Sequence, residues 1–326
     1  MAYSEQVLRR AKMRLEQERQ EQEYLFRRRQ EEIFAKYPRL KEIERALKAS
    51  TAKVVAAAFS AGKEDIHEVV AQMKAENLAL QQERNWILES AEIDESELDA
   101  TPICAQCGGS GYRGEVMCEC LKELCRQEQK KELSSLLSGK ESFDGFRLQY
   151  YPEAVDRDYG VSPRQMMEVV FERCRNYARN FGSQSGNLLF SGGTGLGKTF
   201  LSACIARTVA ENGYSVVYDT AGKLFSDFET VKFGDRDENA DLTKKYLSCD
   251  LLIIDDLGTE MVTQFTQTTL YQVVNARMME NRATIISTNL TPAQLEAKYM
   301  APVVSRLLGT YELLVFLGED IRRLRR

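Results

Sequence analysis

Residues 187–200 read NLLFSGGTGLGKTF, and the reading of this stretch decides the fold. Gly192, Gly197, Lys198 and Thr199 fit the spacing G-x-x-x-x-G-K-[ST]. An apolar run precedes the motif, and an amphipathic helical pattern, FLSACIARTVAENG, follows it. Glycines let successive backbone N–H groups close around phosphate oxygens, and the N-terminus of the following helix adds partial positive charge. The candidate nucleotide-binding residues are therefore Gly192, Gly193, Thr194, Gly195, Leu196, Gly197, Lys198, Thr199 and Phe200. Lys198 is expected to reach the β- and γ-phosphates, and Thr199 to ligate Mg²⁺. The competing reading is a plain glycine-rich turn, which the flanking strand and helix argue against.

Four more apolar runs have the length of buried parallel strands: SVVYDT (215–220), DLLIIDD (250–256), ATIISTN (283–289) and ELLVFLG (312–318). Helical patterns separate most of them, including QTTLYQVVNARMMENR. Repeated strand–helix–strand order predicts an α/β domain with a five-stranded parallel sheet, wound on both faces, whose ligands lie beyond the carboxyl ends of the strands. The polar segment FGDRDENADLTKKY (233–246) reads as a mobile connection.

Two of these runs end in candidate chemistry. Asp255 and Asp256 close an apolar strand, where adjacent carboxylates are costly without a cation nearby. Asp255 is expected to hold Mg²⁺, directly or through water, and Asp256 to orient or deprotonate the attacking water. In STNLTP (287–292), Thr291 reads as a helix N-cap and Pro292 as the first helical residue. That leaves Asn289 at the strand end, either as a turn residue or as a group that senses the γ-phosphate.

The series GGTGLGKT, IIDDLG, STNL and VVSRLLG, spread over roughly residues 141–326, resembles the AAA+ ATPases of the DnaC/DnaI helicase-loader group and the related IstB-type transposition helpers. The resemblance implies an ATPase whose catalytic set is Lys198, Asp255, Asp256, Asn289, Arg306 and Arg322. Arg306 would be the arginine finger that reaches the γ-phosphate on a neighbouring subunit, so that ATP drives self-association into a ring or spiral. Arg322 in GEDIRR is the sensor-2 candidate, with Arg323 as the alternative. Related ATPases often carry Glu where Asp256 stands, one methylene longer. With eight residues following Gly318, the expected form is one without the helical lid domain that many AAA+ proteins carry. The stretch FDGFRLQYYP (143–152) resembles the aromatic linker ahead of the family's ATPase core, with Tyr150 or Tyr151 either lining the adenine pocket or packing on the core.

Four of the eight cysteines fall in CAQCGGSGYRGEVMCEC (104–120). Cys104, Cys107, Cys118 and Cys120, with Gly108, Gly109 and Gly111 between the pairs, suit a tetrahedral Zn²⁺ site. The second pair, C-x-C, is tighter than usual, so Cys125 is an alternative ligand; a redox pair is the competing reading. Cys174, Cys204 and Cys249 read as small core residues.

Residues 1–92 hold no cysteine, one proline (Pro38) and one glycine (Gly62), and read as long helices broken near those two positions. Their dense charge is either a solvated face or a platform for a protein partner. The expected organisation is thus an α-helical partner-binding region (1–92), a four-cysteine zinc module and linker (93–140), and an AAA+ ATPase domain (141–326). A formal net charge of −5 argues against a protein that coats nucleic acid by charge, and no membrane-length apolar run or leader pattern occurs, so a cytoplasmic location is expected. The resemblance implies a loader of the replicative DNA helicase onto single-stranded DNA, using ATP, Mg²⁺ and Zn²⁺. The alternatives are an IstB-type helper acting with duplex DNA and a transposase, or a zinc-stabilised adaptor. Lys223, Phe225 and Phe228 in AGKLFSDF are candidate DNA contacts, the competing reading being a helix that packs both phenylalanines into the core.

Overall fold

The computed structural model describes residues 3–60, 63–136, 141–234 and 236–324. Packing separates two compact units: Glu119–Arg326 together with Met1–Lys12, and Met13–Cys118.

The larger unit is built on five parallel strands in the order β4-β5-β6-β3-β7. These are β3 (Asn187–Ser191), β4 (Val216–Thr220), β5 (Leu251–Leu257), β6 (Ala283–Thr288) and β7 (Tyr311–Val315). Each coincides with one of the five apolar runs. Their continuous apolar character has a direct cause, because side chains alternate between two faces and both faces are covered. Leu188, Phe190, Leu251, Ile253 and Ile285 enter one apolar cluster, with α5 (Pro163–Arg179) and α6 (Lys198–Glu211). Leu189, Leu252, Ile254 and Ile286 enter the other, with α7 (Ala221–Phe233), α9 (Gln264–Met279), α10 (Pro292–Lys298) and α11 (Ala301–Thr310). Cys174, Cys204 and Cys249 are buried.

Helix starts follow from local hydrogen bonding. Ser162 and Gln165 form a capping box ahead of α5 with Pro163 in its first turn, and Thr291 and Gln294 do the same for α10 with Pro292. The segment expected to be a mobile connection is instead largely helical: α7 runs to Phe233 and α8 covers Arg236–Ser248, residue 235 lying outside the described residues. The cause is a buried anchor. Tyr246 is fully buried with its one hydroxyl proton shared between Asp219 and Asp227 at 2.8 and 2.7 Å, while Lys245 pairs with the same two carboxylates at 2.9 and 3.3 Å. Sequence polarity alone hides such an anchor.

Helix α4 (Glu119–Leu136) packs with the sheet unit. Gln129 covers the edge strand, accepting from Val216 N–H at 3.0 Å and donating to the Tyr214 carbonyl at 2.8 Å.

In the smaller unit, α1 (Glu5–Lys36, from Met13 onward), α2 (Pro38–Ser60) and α3 (Lys63–Ser90) are the long helices. Pro38 begins α2, as expected of a residue that lacks the amide hydrogen needed further inside a helix. The break expected at Gly62 lies outside the described residues. Ile33, Leu40, Leu88 and Leu98 form a small apolar cluster, and the largely buried Arg84 donates to Glu44 at 2.8 Å and Glu95 at 2.6 Å. A two-stranded hairpin, β1 (Tyr112–Arg113) and β2 (Val116–Met117), lies inside the cysteine segment. No described helix is long and apolar enough to cross a membrane.

Candidate functional site

The glycine-rich loop leaves β3 and turns into α6 at the carboxyl end of the sheet, between β6 and β7. A cavity of about 500 Å³ opens there, lined by Thr194 through Phe200 and by Asp256, Thr259, Asn289 and Arg322. Phe146, Arg147, Tyr150 and Tyr151 line it from the segment ahead of the core. Arg322 lines the cavity and Arg323 does not.

Two glycines are required by crowding and by backbone angle. Gly195 has φ +74°, and a Cβ there would collide with the Asp320 side chain; Gly197 has φ +92°, and a Cβ would lie 3.0 Å from the Tyr151 hydroxyl. Tyr151 is buried and donates to the Leu196 carbonyl at 2.8 Å, which pins the loop from below. Phe146 stacks on Tyr151 at 5.7 Å and approaches Phe200 at 6.0 Å, forming an apolar wall beside the phosphate loop.

Lys198 donates to the carbonyls of Gly192 and Gly193, both at 2.6 Å, and to Asn289 Oδ1 at 2.7 Å. Burial pushes its ammonium below the ordinary lysine range, against the pull of Asp256 and Asp255. The lysine, the loop and the end of β6 thus meet at one point, where phosphate charge would be compensated.

The two aspartates at the end of β5 do different things. The β5–β6 ladder shifts register between Ile254 and Leu257, and Asp256 has φ +56°. That irregularity turns Asp256 toward the cavity and leaves Asp255 buried; a non-glycine residue in this backbone region costs roughly 1–3 kcal/mol, a strain characteristic of functional sites. Asp255 accepts from Tyr218 Oη at 2.8 Å and from Ser287 Oγ. Burial, and then the charge of Asp255, raise Asp256 above the ordinary aspartate range. A carboxylate with raised proton affinity beside a phosphate site is suited to take a proton from water.

Arg306 does not line this cavity. Its guanidinium lies over the Tyr271 ring at 4.4 Å, donates twice to Asn275 Oδ1 (3.1 and 2.9 Å), and donates to Tyr271 Oη at 3.0 Å and the Pro302 carbonyl at 3.1 Å.

Of the DNA contacts expected on α7, the two phenylalanines are corrected by burial, whereas Lys223 is exposed. Phe225 is in the core beneath β4, and Phe228 is partly buried against the same cluster, stacked on Tyr246 at 6.0 Å. Lys223 pairs with Asp227. Neither ring is free to stack on a base, because the amphipathic period turns both toward the sheet. The exposed aromatic feature lies at the far end of the helix. Phe233 is 72% exposed, its ring 6.2 Å from that of Phe265, with Lys232 Nζ 5.3 and 4.8 Å from the two rings.

In the cysteine segment, the sulfurs of Cys104, Cys107, Cys118 and Cys120 all lie within 4.8 Å of one another. Cys104 and Cys118 sulfurs are 3.8 Å apart, about the edge of a tetrahedron with Zn–S bonds of about 2.3 Å. The Gly111 N–H donates to Cys107 Sγ at 3.3 Å, as outer-shell amides do to metal thiolates. Four sulfur donors at these separations fit zinc. Cys125 stands apart from this group, buried in α4 with its thiol pushed up to about 11 by desolvation.

Sequence reading missed Phe146, Arg147 and Thr259 as cavity residues, and Tyr218 and Ser287 as partners of Asp255. Phe146, Arg147, Ser287 and Tyr218 all stood inside quoted stretches, but the role of Tyr218 depends on the pairing of β4 with β5, which no local pattern reveals.

A phosphate loop on the strand between β6 and β7, facing an acidic bulge on β5 and an asparagine on β6, defines an ATP-binding domain of the AAA+ class. Residues 174–318 match the family described as "IstB-like ATP binding protein". The chain is 28% identical over 151 residues to the replicative helicase loader DnaC of Buchnera aphidicola subsp. Baizongia pistaciae, covering 46% of this chain and 61% of the relative. It is 27% identical over 195 residues to the chromosomal replication initiator protein DnaA of Aliarcobacter butzleri, covering 60% of this chain and 39% of that one. The chain thus spans less than two thirds of the length of either relative. A crystal structure of the DnaC helicase loader aligns with a TM-score of 0.46 at 22% identity, over 54% of this chain and 97% of the other.

Proposed function

We propose that this protein is an ATP-dependent loader of a replicative DNA helicase onto single-stranded DNA. The observation that carries the reading is the union of an IstB-like ATP-binding domain, similar to DnaC helicase loaders, with an added helical and four-cysteine region. The ATPase domain (141–326) is the motor, residues 93–140 the zinc-bearing link, and residues 1–92 the region that grips the helicase, in the cytoplasm. This functional division differs from the packing units because α4, which carries Cys120, and residues Met1–Lys12 pack with the sheet.

In ATP hydrolysis, Lys198 and Arg322 compensate phosphate charge, and Asn289 orients the γ-phosphate or the water. Asp256 draws the proton from the attacking water. Thr199, which lines the cavity, would hold Mg²⁺ directly, and the buried Asp255, which does not line it, would reach the ion through water; the ion would compensate phosphate charge. Arg306, held on the Tyr271–Asn275 surface, acts on ATP bound by an adjacent copy and so couples hydrolysis to self-association.

Zinc on Cys104, Cys107, Cys118 and Cys120 is structural, because four thiolates leave no open coordination position. For single-stranded DNA the proposed contact is the exposed Phe233 and the half-buried Phe265 with Lys232, since rings beside a lysine combine base stacking with phosphate contact. Phe233→Ala is expected to weaken binding of an oligothymidylate by about 1–3 kcal/mol.

The deciding experiment is capture of the replicative helicase by the full-length chain, with ATP and with or without a zinc chelator. Zinc-dependent capture, followed by ATP-dependent transfer of the helicase to single-stranded DNA, is the expected result. No capture, together with ATPase stimulation by duplex rather than single-stranded DNA, favours a transposition helper instead.

A further inference from the structure

The carboxylate of Asp255 is held by hydroxyls that reach back to the helix of the phosphate loop. Tyr218 Oη, on β4, lies 2.8 Å from Asp255 Oδ2. Ser202 Oγ, on α6, lies 3.0 Å from Tyr218 Oη and 3.0 Å from the carbonyl of Thr199, three residues earlier on the same helix. The other oxygen of Asp255 accepts from Ser287 on β6, whose Oγ also accepts from the Asp256 amide at 3.0 Å. Ser202 and Ser287 have no exposed surface, and Tyr218 and Asp255 are almost as deeply buried.

This arrangement is more than a satisfied core tyrosine. Tyr218 Oη donates its single proton to Asp255, so its oxygen can only accept from Ser202, whose one hydroxyl proton is shared between Tyr218 Oη and the Thr199 carbonyl. The link therefore runs in one direction, from the first turn of α6 to the end of β5. Those are the two elements that carry Thr199 and Asp255. Nothing in the backbone ties them at this point, because β4 and β5 pair through their main chains while α6 only packs across the sheet face.

We propose that Tyr218 is a positioning residue for the metal-binding pair, holding Asp255 at a set distance from the helix turn that carries Thr199. This rests on the reading that Thr199 and Asp255 hold Mg²⁺ with the nucleotide. Neither Tyr218 nor Asp255 lines the nucleotide cavity, so both act on it from the buried side. The contribution of Tyr218 is to order one ligand relative to the other before the ion arrives, so its loss weakens the metal rather than the nucleotide. The ring fills the core on its own; only the hydroxyl acts in positioning.

The test is Tyr218→Phe in the full-length chain, which deletes one oxygen and keeps the ring. The readout is binding of a fluorescent non-hydrolysable ATP analogue as a function of Mg²⁺ concentration. The Mg²⁺ concentration for half-maximal binding is expected to rise about tenfold, the lower end for loss of an outer-shell partner. Binding in EDTA is expected to stay within about twofold of the wild type, as one polar contact outside the nucleotide cavity predicts. Ser202→Ala is expected to shift the Mg²⁺ requirement in the same direction by a smaller factor, and it serves if Tyr218→Phe fails to fold. Asp255→Asn is the benchmark for the metal reading. If Asp255→Asn loses Mg²⁺ dependence while Tyr218→Phe and Ser202→Ala keep the wild-type requirement, positioning by Tyr218 is overturned and the metal site stands. If Asp255→Asn also keeps the wild-type requirement, the metal reading falls and this inference falls with it.

Discussion

The sheet unit and the Met13–Cys118 unit reach stability by different physics. In the sheet unit, Leu251, Leu252, Ile253 and Ile254 are all fully buried, split between two apolar clusters on opposite faces. Among the described residues of the other unit, the apolar cluster around Ile33, Leu40, Leu88 and Leu98 is small and is accompanied by ion pairs, as at Arg84 and at the exposed Arg39–Glu83 pair. Exposed ion pairs contribute roughly 0–1 kcal/mol each. A large apolar core thus carries strained functional geometry such as the Asp256 bulge, whereas a metal on the four convergent thiolates would add cohesion where the described apolar cluster is small.

The largest effect expected from this contrast is metal removal. Structural zinc sites bind with apparent free energies of about 10–16 kcal/mol, so chelation is expected to abolish hydrogen-exchange protection at Gly108, Gly111 and Cys118. Nucleotide affinity of the same sample should stay within about twofold, since no cysteine lines the nucleotide cavity. Loss of nucleotide binding on chelation would break the comparison. Next comes core truncation: Ile253→Ala is expected to cost about 2–5 kcal/mol in a calorimetric melt of the sheet unit. Leu88→Ala should leave that transition unmoved.

Lys198→Ala tests whether the cavity is a motor site. Steady-state ATP turnover is expected to fall about 10²–10³-fold, on the scale of losing one preorganised charge-stabilising donor. Unchanged turnover would remove the phosphate loop from the chemistry. The smallest effect is the pH dependence of Asp256. Its folded proton affinity is raised by burial and by Asp255, so its contribution to stability is full at low pH and is lost as the pH rises through that elevated value. Asp256→Asn should therefore raise the melting temperature at neutral pH, with a gain that shrinks to nothing below the ordinary aspartate range. Turnover should fall in the same variant. A gain that persists unchanged in acid would contradict the origin assigned to the shift.

Much of the ATP site was legible because it is written locally. The spacing from Gly192 to Thr199, the acidic end of β5 and the Thr291–Pro292 cap each specify backbone geometry within a few residues. The convergence of Cys104, Cys107, Cys118 and Cys120 was legible for the same reason, as short spacings bring sulfurs together whatever the rest of the chain does. Phe225 and Phe228 were ambiguous, because an aromatic on an amphipathic helix reads alike whether it meets a base or a sheet. The helix at Arg236–Ser248 was missed because its anchors, Asp219 and Asp227, lie on other elements.

By itself, then, the sequence determined the five parallel strands, the phosphate loop and the thiolate cluster, since periodicity and short-range spacing carry those features. Only the tertiary structure decided that Asp255 turns inward while Asp256 faces the cavity, that Arg322 rather than Arg323 lines it, and that Tyr218 joins β4 to Asp255 and α6. Those outcomes depend on strand register and on which helix covers which face, and both are set by packing between residues far apart in the chain.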